Sequence, residues 1–153
     1  MPKASIKRLI ECKKKDLINL VLDIEKYPEF IPFCFESKIY DKIENDESTK
    51  IIADLTIGKG PFRDTYKSNV FLDKKKNFIH VENINGPLNH LFNNWSFKEL
   101  DKKTEVTFDI DFEIKNKFLN TMMSASFKFG LEKIADAFQR RAEELFNKSK
   151  NQV

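Results

Sequence analysis

Few residues in this chain could do covalent or acid–base chemistry, and their spacing argues against it. Catalysis needs a nucleophile or base positioned by a partner, and the candidates are the two histidines, His80 and His90. His80 lies in a segment that alternates with period two, which points it with Glu82 away from Ile79 and Val81, toward solvent. His90 falls just before the strand-like run from Leu91, as a capping or turn residue. Asp109, Asp111 and Glu113 form a carboxylate row, but strict alternation puts that row on the wet face of a strand. Gly58-x-Gly60 is too short for a phosphate loop and sits between two strands. Cys12 and Cys34 are too few and too far apart for a zinc or redox motif, so reduced thiols are expected. These residues predict neither a catalytic nor a metal site.

What the sequence has instead is bulk apolar surface. There are 15 Phe against one Trp and three Tyr, a bias that either an AT-rich coding sequence or an aromatic cavity would explain. Alternation and helical periodicity direct Leu55, Val70, Trp95, Phe97, Phe108 and Phe112 from strands, and Met122, Met123 and Phe127 from a helix, toward one interior. Methionine adapts its shape, which suits a wall around a flexible ligand. The residues alone leave two readings open: these side chains fill the core, or they line a hollow.

The elements that must position them are legible in the pattern. Ser5 to Glu11 reads as a short strand, followed by a helix that Asp16 can cap and Pro28 can stop. The run Tyr27 to Phe35 is too apolar for a free loop and too broken by Pro28 and Pro32 for a regular element. From Ser37 to Ile114 the period is two, with polar or Gly-containing turns that predict an antiparallel meander. The last strand sets Val106, Phe108, Ile110, Phe112 and Ile114 against Thr107, Asp109, Asp111 and Glu113. After Lys115 the pattern is helical to about Lys148, a length of about 45 Å. Its later half carries an apolar stripe of Phe127, Leu131, Ile134, Phe138, Ala142 and Leu145, while Phe118, Leu119, Met122 and Met123 centre on a rotated face. The changeover falls at Ser126 to Gly130, and Gly130 predicts a bend there in preference to a close approach.

The chain of 153 residues, 41% hydrophobic and 33% charged, is expected to fold as one domain over residues 1–153 with one core. Its 27 basic and 24 acidic residues are interspersed, giving net charge +3, so no DNA-binding face is expected. Short runs at Lys13–Lys15, Lys74–Lys76 and Lys102–Lys103 would give only mild attraction to an anionic surface. The first ten residues lack an apolar or Arg-rich leader, and no window reaches the roughly 18 apolar residues of a spanning helix. A cytoplasmic protein with at most peripheral membrane contact, at an inner membrane, is expected.

The order strand, short helix, antiparallel strands and long C-terminal helix resembles the helix-grip fold of START-like lipid-transfer domains. Within that group, Val21-Leu22-Asp23-Ile24-Glu25-Lys26-Tyr27-Pro28-Glu29-Phe30-Ile31-Pro32-Phe33-Cys34 resembles the signature of the coenzyme Q-binding START family, in the polyketide cyclase/dehydrase superfamily, which also contains the bacterial RatA proteins. Gly86-Pro87-Leu88, Leu91, Trp95-Ser96-Phe97, the strand Phe108 to Glu113 and Ala137-Phe138-Gln139-Arg140-Arg141-Ala142 match further parts, so the resemblance runs from about residue 3 to 147. Phe33 stands where many members carry Trp, and Leu88 where many carry Phe. The resemblance implies an α+β fold in which a curved antiparallel sheet of about six to seven strands wraps on the C-terminal helix. It further implies a non-enzymatic carrier or chaperone of ubiquinone or a related polyprenyl lipid that supports respiration and needs no cofactor. The ligand would sit among the apolar residues named above, with Trp95 and Phe112 foremost. Its entrance would lie near Tyr27, Pro28, Phe30, Ile31 and Phe33 and the first turns of the C-terminal helix. A ribosome-associating protein that interferes with subunit joining is the alternative, and an aromatase/cyclase a further one. The missing leader points to a bacterial member.

Overall fold

The computed structural model describes residues 3–59, 61–85, 88–125 and 127–146. Strand β1 (Lys3–Ile10) leads into helix α1 (Lys14–Leu22) and a 3₁₀ helix (Ile24–Glu29). The chain then runs through β2 (Cys34–Glu44), β3 (Ser48–Lys59), β4 (Phe62–Asp73), β5 (Phe78–Asn85), β6 (Leu88–Leu100) and β7 (Lys103–Ile114). Helices α2 (Lys117–Ala125) and α3 (Phe127–Phe146) follow. The seven strands form one sheet in the order β1-β7-β6-β5-β4-β3-β2, every neighbour antiparallel. β2 to β7 are the expected meander, and β1 completes the sheet by pairing with the last strand, Ile6 opposite Phe108.

Side-chain alternation gives the sheet one apolar face, and bulges curve it. Register shifts occur between Cys34 and Glu36, Ile39 and Asp41, Lys67 and Ser68, and Leu88 and His90. Each adds local twist, so the strands wrap rather than lie flat. Tight turns close the hairpins. Asn45 Oδ1 accepts the amides of Glu47 and Ser48 at 2.8 and 2.9 Å, and Asp73 Oδ1 accepts those of Lys75 and Lys76 at 3.0 and 3.1 Å. The buried Thr104 hydroxyl donates to the Cys12 carbonyl at 2.7 Å, which ties the corner after β1 to β7.

α3, about 30 Å long, lies across the concave face and buries Leu131, Phe138 and Ala142. Arg8 of β1 meets Asp136 at 2.6 Å, and Arg141 meets Glu29 at 3.0 Å. Both pairs are half-exposed, so solvent screens them and neither contributes much. The apolar stripe holds α3 in place.

Four local expectations need correction. α1 begins at Lys14, with Lys13 as its N-cap, and Asp16 sits inside the first turn. There its carboxylate is still favoured by the helix dipole, which is why the residue type suggested a start. The α-helix ends at Leu22, and Pro28 lies within the 3₁₀ helix beyond it. His90 lies within β6, since the bulge after Leu88 lets pairing start three residues before Leu91. The C-terminal helical region is two helices, α2 and α3, with residue 126 between them outside the described residues.

Candidate ligand cavity

Between sheet and helix lies a cavity of about 320 Å³. Leu55 of β3, Val70 of β4, Trp95 of β6, and Phe108 and Phe112 of β7 line it, with Phe127 at the start of α3. The aromatic wall has two parts. Trp95 meets Phe108 at 4.4 Å and Phe138 at 5.1 Å between ring centroids, both edge to face, and Phe112 meets Phe127 at 5.0 Å. Phe97 lies elsewhere: it stacks on Trp95 at 6.4 Å but is packed in the core and does not line the cavity. The side chains of Met122 and Met123 lie outside the described residues.

The predicted entrance separates into lining and support. Tyr27, Ile31 and Phe33 line the cavity, together with Pro32. Phe30 turns instead toward α3, edge to face with Phe138 at 5.3 Å and beneath the Arg141 guanidinium at 5.0 Å. Pro28 sits in the 3₁₀ helix, away from the wall. Phe33 has φ of 69°, a left-handed conformation unusual for a bulky residue. Its carbonyl accepts the Gly58 amide at 3.0 Å, and its ring faces Gly130, where an added Cβ would stand 3.5 Å from Phe33 Cε2. Gly130 thus meets a side chain at ordinary van der Waals distance, which is neither the bend expected there nor the close approach by backbone or ligand set second to it.

Sequence reasoning passed over Tyr66, Ser68, Asn93, Leu88, Leu91 and Ile110, which also line the cavity. Tyr66 and Ser68 share the inward face of β4 with Val70, so the same alternation contained that signal. The polar members other than Tyr66 are bonded internally. The Tyr27 hydroxyl donates to the Val21 carbonyl. Ser68 Oγ donates to the Ala53 carbonyl at 3.3 Å, Trp95 Nε1 to Asn93 Oδ1 at 2.8 Å, and Asn93 Nδ2 to the Asp109 carbonyl at 2.9 Å. Burial pushes the Cys34 thiol up to about 11 and both phenols, Tyr27 and Tyr66, above their usual range, so the wall stays uncharged at neutral pH. Lys133 stands at the rim, its ammonium 4.7 Å from the centroid of Phe129.

The histidines meet acids, but on the other face of the sheet. His80 Nε2 donates to Glu82 at 2.8 Å, and its Nδ1 contacts Asn94 Oδ1. His90 Nε2 contacts Asp111 at 2.9 Å while its ring stacks on Phe92. Cross-strand register makes the His90 pair, which spacing along the chain does not reveal. Among the described residues no group of three or more His, Cys, Asp or Glu could hold a metal ion. No described helix is long and apolar enough to cross a membrane. The arrangement can take up an apolar molecule and orient it by few polar groups.

The sequence profile described as "Polyketide cyclase / dehydrase and lipid transport" matches residues 13–139. The ribosome association toxin RatA of Rickettsia prowazekii is 30% identical over 141 residues, covering 90% of this chain and 94% of that protein. The mitochondrial coenzyme Q-binding protein COQ10 of Dictyostelium discoideum is 32% identical over 134 residues, covering 86% of this chain and 64% of that longer protein. A START superfamily protein from Mycobacterium smegmatis shares the fold, with a TM-score of 0.77 at 20% identity over 94% of this chain and 98% of that one.

Proposed function

The chain belongs to the polyketide cyclase/dehydrase and lipid transport family, and from that premise we propose that it binds an isoprenoid quinone, ubiquinone or a close relative, and carries it without transforming it. The observation that supports this reading most is the cavity of about 320 Å³ walled by Leu55, Val70, Trp95, Phe108, Phe112 and Phe127. That volume is at the low end of the roughly 300–1,000 Å³ of small-molecule sites. It suits a substituted ring and the first part of a tail. Burial supplies affinity at about 0.8 kcal/mol per CH₂. The similarity to a protein named for coenzyme Q binding selects the quinone among apolar ligands. A carrier role also fits the outward direction of both histidines, since no described acid, base or nucleophile that titrates near neutral pH lines the cavity. That argues against the cyclase reading. Exchange with a bilayer would need only peripheral contact at the cavity mouth.

Organic extraction of the purified protein followed by mass spectrometry is expected to yield a polyprenyl quinone. Added decyl-ubiquinone should quench Trp95, the only tryptophan of the chain and a cavity residue. A lipid-free protein that also fails to take up this quinone would overturn the proposal.

A second reading, association with the ribosome, draws on the similarity to RatA over nearly that protein's full length. It would use the exposed lysine runs and leave the cavity incidental. Ribosome cosedimentation that weakens steeply with salt and disappears on neutralising Lys74–Lys76, with no quinone extracted, would favour it.

A further inference from the structure

The polar side chains on the cavity wall are committed to intramolecular partners, with one exception. Tyr27, Ser68, Asn93 and Trp95 all spend their donors on protein oxygens, and the Cys34 thiol points to the Glu36 carbonyl at 3.9 Å. Tyr66, on β4 opposite Leu55, lines the same wall, yet its hydroxyl makes no hydrogen bond among the described residues. Its ring packs with Leu88, Leu91 and Phe112, which form the apolar cluster on that side of the cavity. A phenol hydroxyl that opens onto the cavity without a protein acceptor keeps its donor free for a molecule bound there. A neutral phenol is also a good donor to a neutral oxygen, and burial raises its pKa, which keeps the proton on the ring oxygen across the physiological range.

We propose that the Tyr66 hydroxyl anchors the ligand by donating a hydrogen bond to an acceptor oxygen on its head, a ring carbonyl or ether in the quinone case. This rests on the quinone-binding reading and extends it: the apolar wall holds the molecule, and Tyr66 fixes which end lies beside β4. Hydrocarbon of the same shape would enter but would not be oriented. The neighbouring Tyr27, its hydroxyl already donated to Val21, would contribute ring surface only.

The test compares wild-type protein with Tyr66→Phe and Tyr27→Phe, using decyl-ubiquinone, decylbenzene and methyl dodecanoate as probes. Trp95 quenching reports the quinone directly, and competition against it reports the other two. Tyr66→Phe is expected to weaken quinone binding roughly three- to tenfold, the worth of one neutral hydrogen bond. Decylbenzene should bind both proteins equally. Because Tyr66→Phe removes no intramolecular bond, its unfolding midpoint should match wild type, whereas Tyr27→Phe should unfold more easily while keeping the wild-type ratio of quinone to decylbenzene. Equal affinity of wild type and Tyr66→Phe for both the quinone and methyl dodecanoate would overturn the anchor and leave the quinone reading standing. A Tyr66→Phe loss for methyl dodecanoate but not for the quinone would support the anchor and overturn the quinone as its natural head group. Binding of none of the three by wild type would overturn the ligand reading itself.

Discussion

Gly130 is a residue whose role follows from its one near neighbour. A methyl group there would meet Phe33 Cε2 at 3.5 Å, ordinary van der Waals contact, and the position lies a turn inside α3. Replacing Gly by Ala in a helix interior gains about 1 kcal/mol. Gly130→Ala is therefore expected to raise the melting temperature by about 2–4 °C in a scanning calorimeter. It should also slow quinone uptake, since the methyl fills space beside the mouth. His80 gives a pH-dependent expectation. Burial lowers its pKa, but the bonds to Asn94 and Glu82 outweigh that and leave it raised. A raised folded-state pKa contributes stability that is fully present below the unfolded value near 6.5 and is lost as pH rises through the folded value. Denaturant midpoints compared between pH 6 and pH 8 should fall more for wild type than for His80→Gln.

At the scale of elements, the decisive contact is α3 on the sheet through Phe138. Its ring meets Tyr27 at 5.6 Å, Phe30 at 5.3 Å and Trp95 at 5.1 Å, so one side chain joins the 3₁₀ helix, β6 and α3. Phe138→Ala is expected to cost about 3–5 kcal/mol in urea unfolding, and to increase the rate at which bound quinone exchanges, because it frees the entrance segment. By contrast, Glu29→Gln should leave the urea midpoint close to wild type, since its pair with Arg141 is half in water. The strands were readable because period two survives between polar turns: Val106 to Ile114 faces as expected from end to end. The apolar stripe of α3 was readable from its helical period at Leu131, Phe138 and Ala142, but Leu145, expected on the same stripe, is 44% exposed near the helix end. Whether Phe97 lines a hollow or packs below it was not readable, because alternation gives a face and not a depth along the strand. The pairing of His90 with Asp111 depends on register and on a bulge, and the partner of Gly130 comes from a residue almost a hundred positions away. Those facts exist only after the strands have met.

For the molecule as a whole, the small cavity sets a limit on what it can enclose. A polyprenyl tail longer than the remaining space would have to leave the cavity, and Ile31, Phe33 and Phe129 line it on the side proposed for the entrance. Affinity across a series of quinones with lengthening tails is therefore expected to climb and then level off, and titrations by Trp95 quenching would locate the plateau. Continued growth at about 0.8 kcal/mol per CH₂ through long tails would show that the interior swells to admit them. An emerging tail would also lie beside Phe129, which is 62% exposed, and the ammonium of Lys133. That pairing of apolar ring and cation suits the boundary between headgroups and acyl chains.

The left-handed backbone at Phe33 gives this mouth a mechanical character. A non-glycine residue held there sits on the order of 1–3 kcal/mol above its relaxed state, restrained by the Gly58 amide and by the seat of its ring against Gly130. It behaves as a cocked latch. Undoing the amide bond returns the stored strain, so the free energy of opening is smaller than the contacts broken would indicate. In the proposed carrier, opening at Phe33 would leave sheet and clamp intact, and release of a ligand would not draw on the stability of the fold.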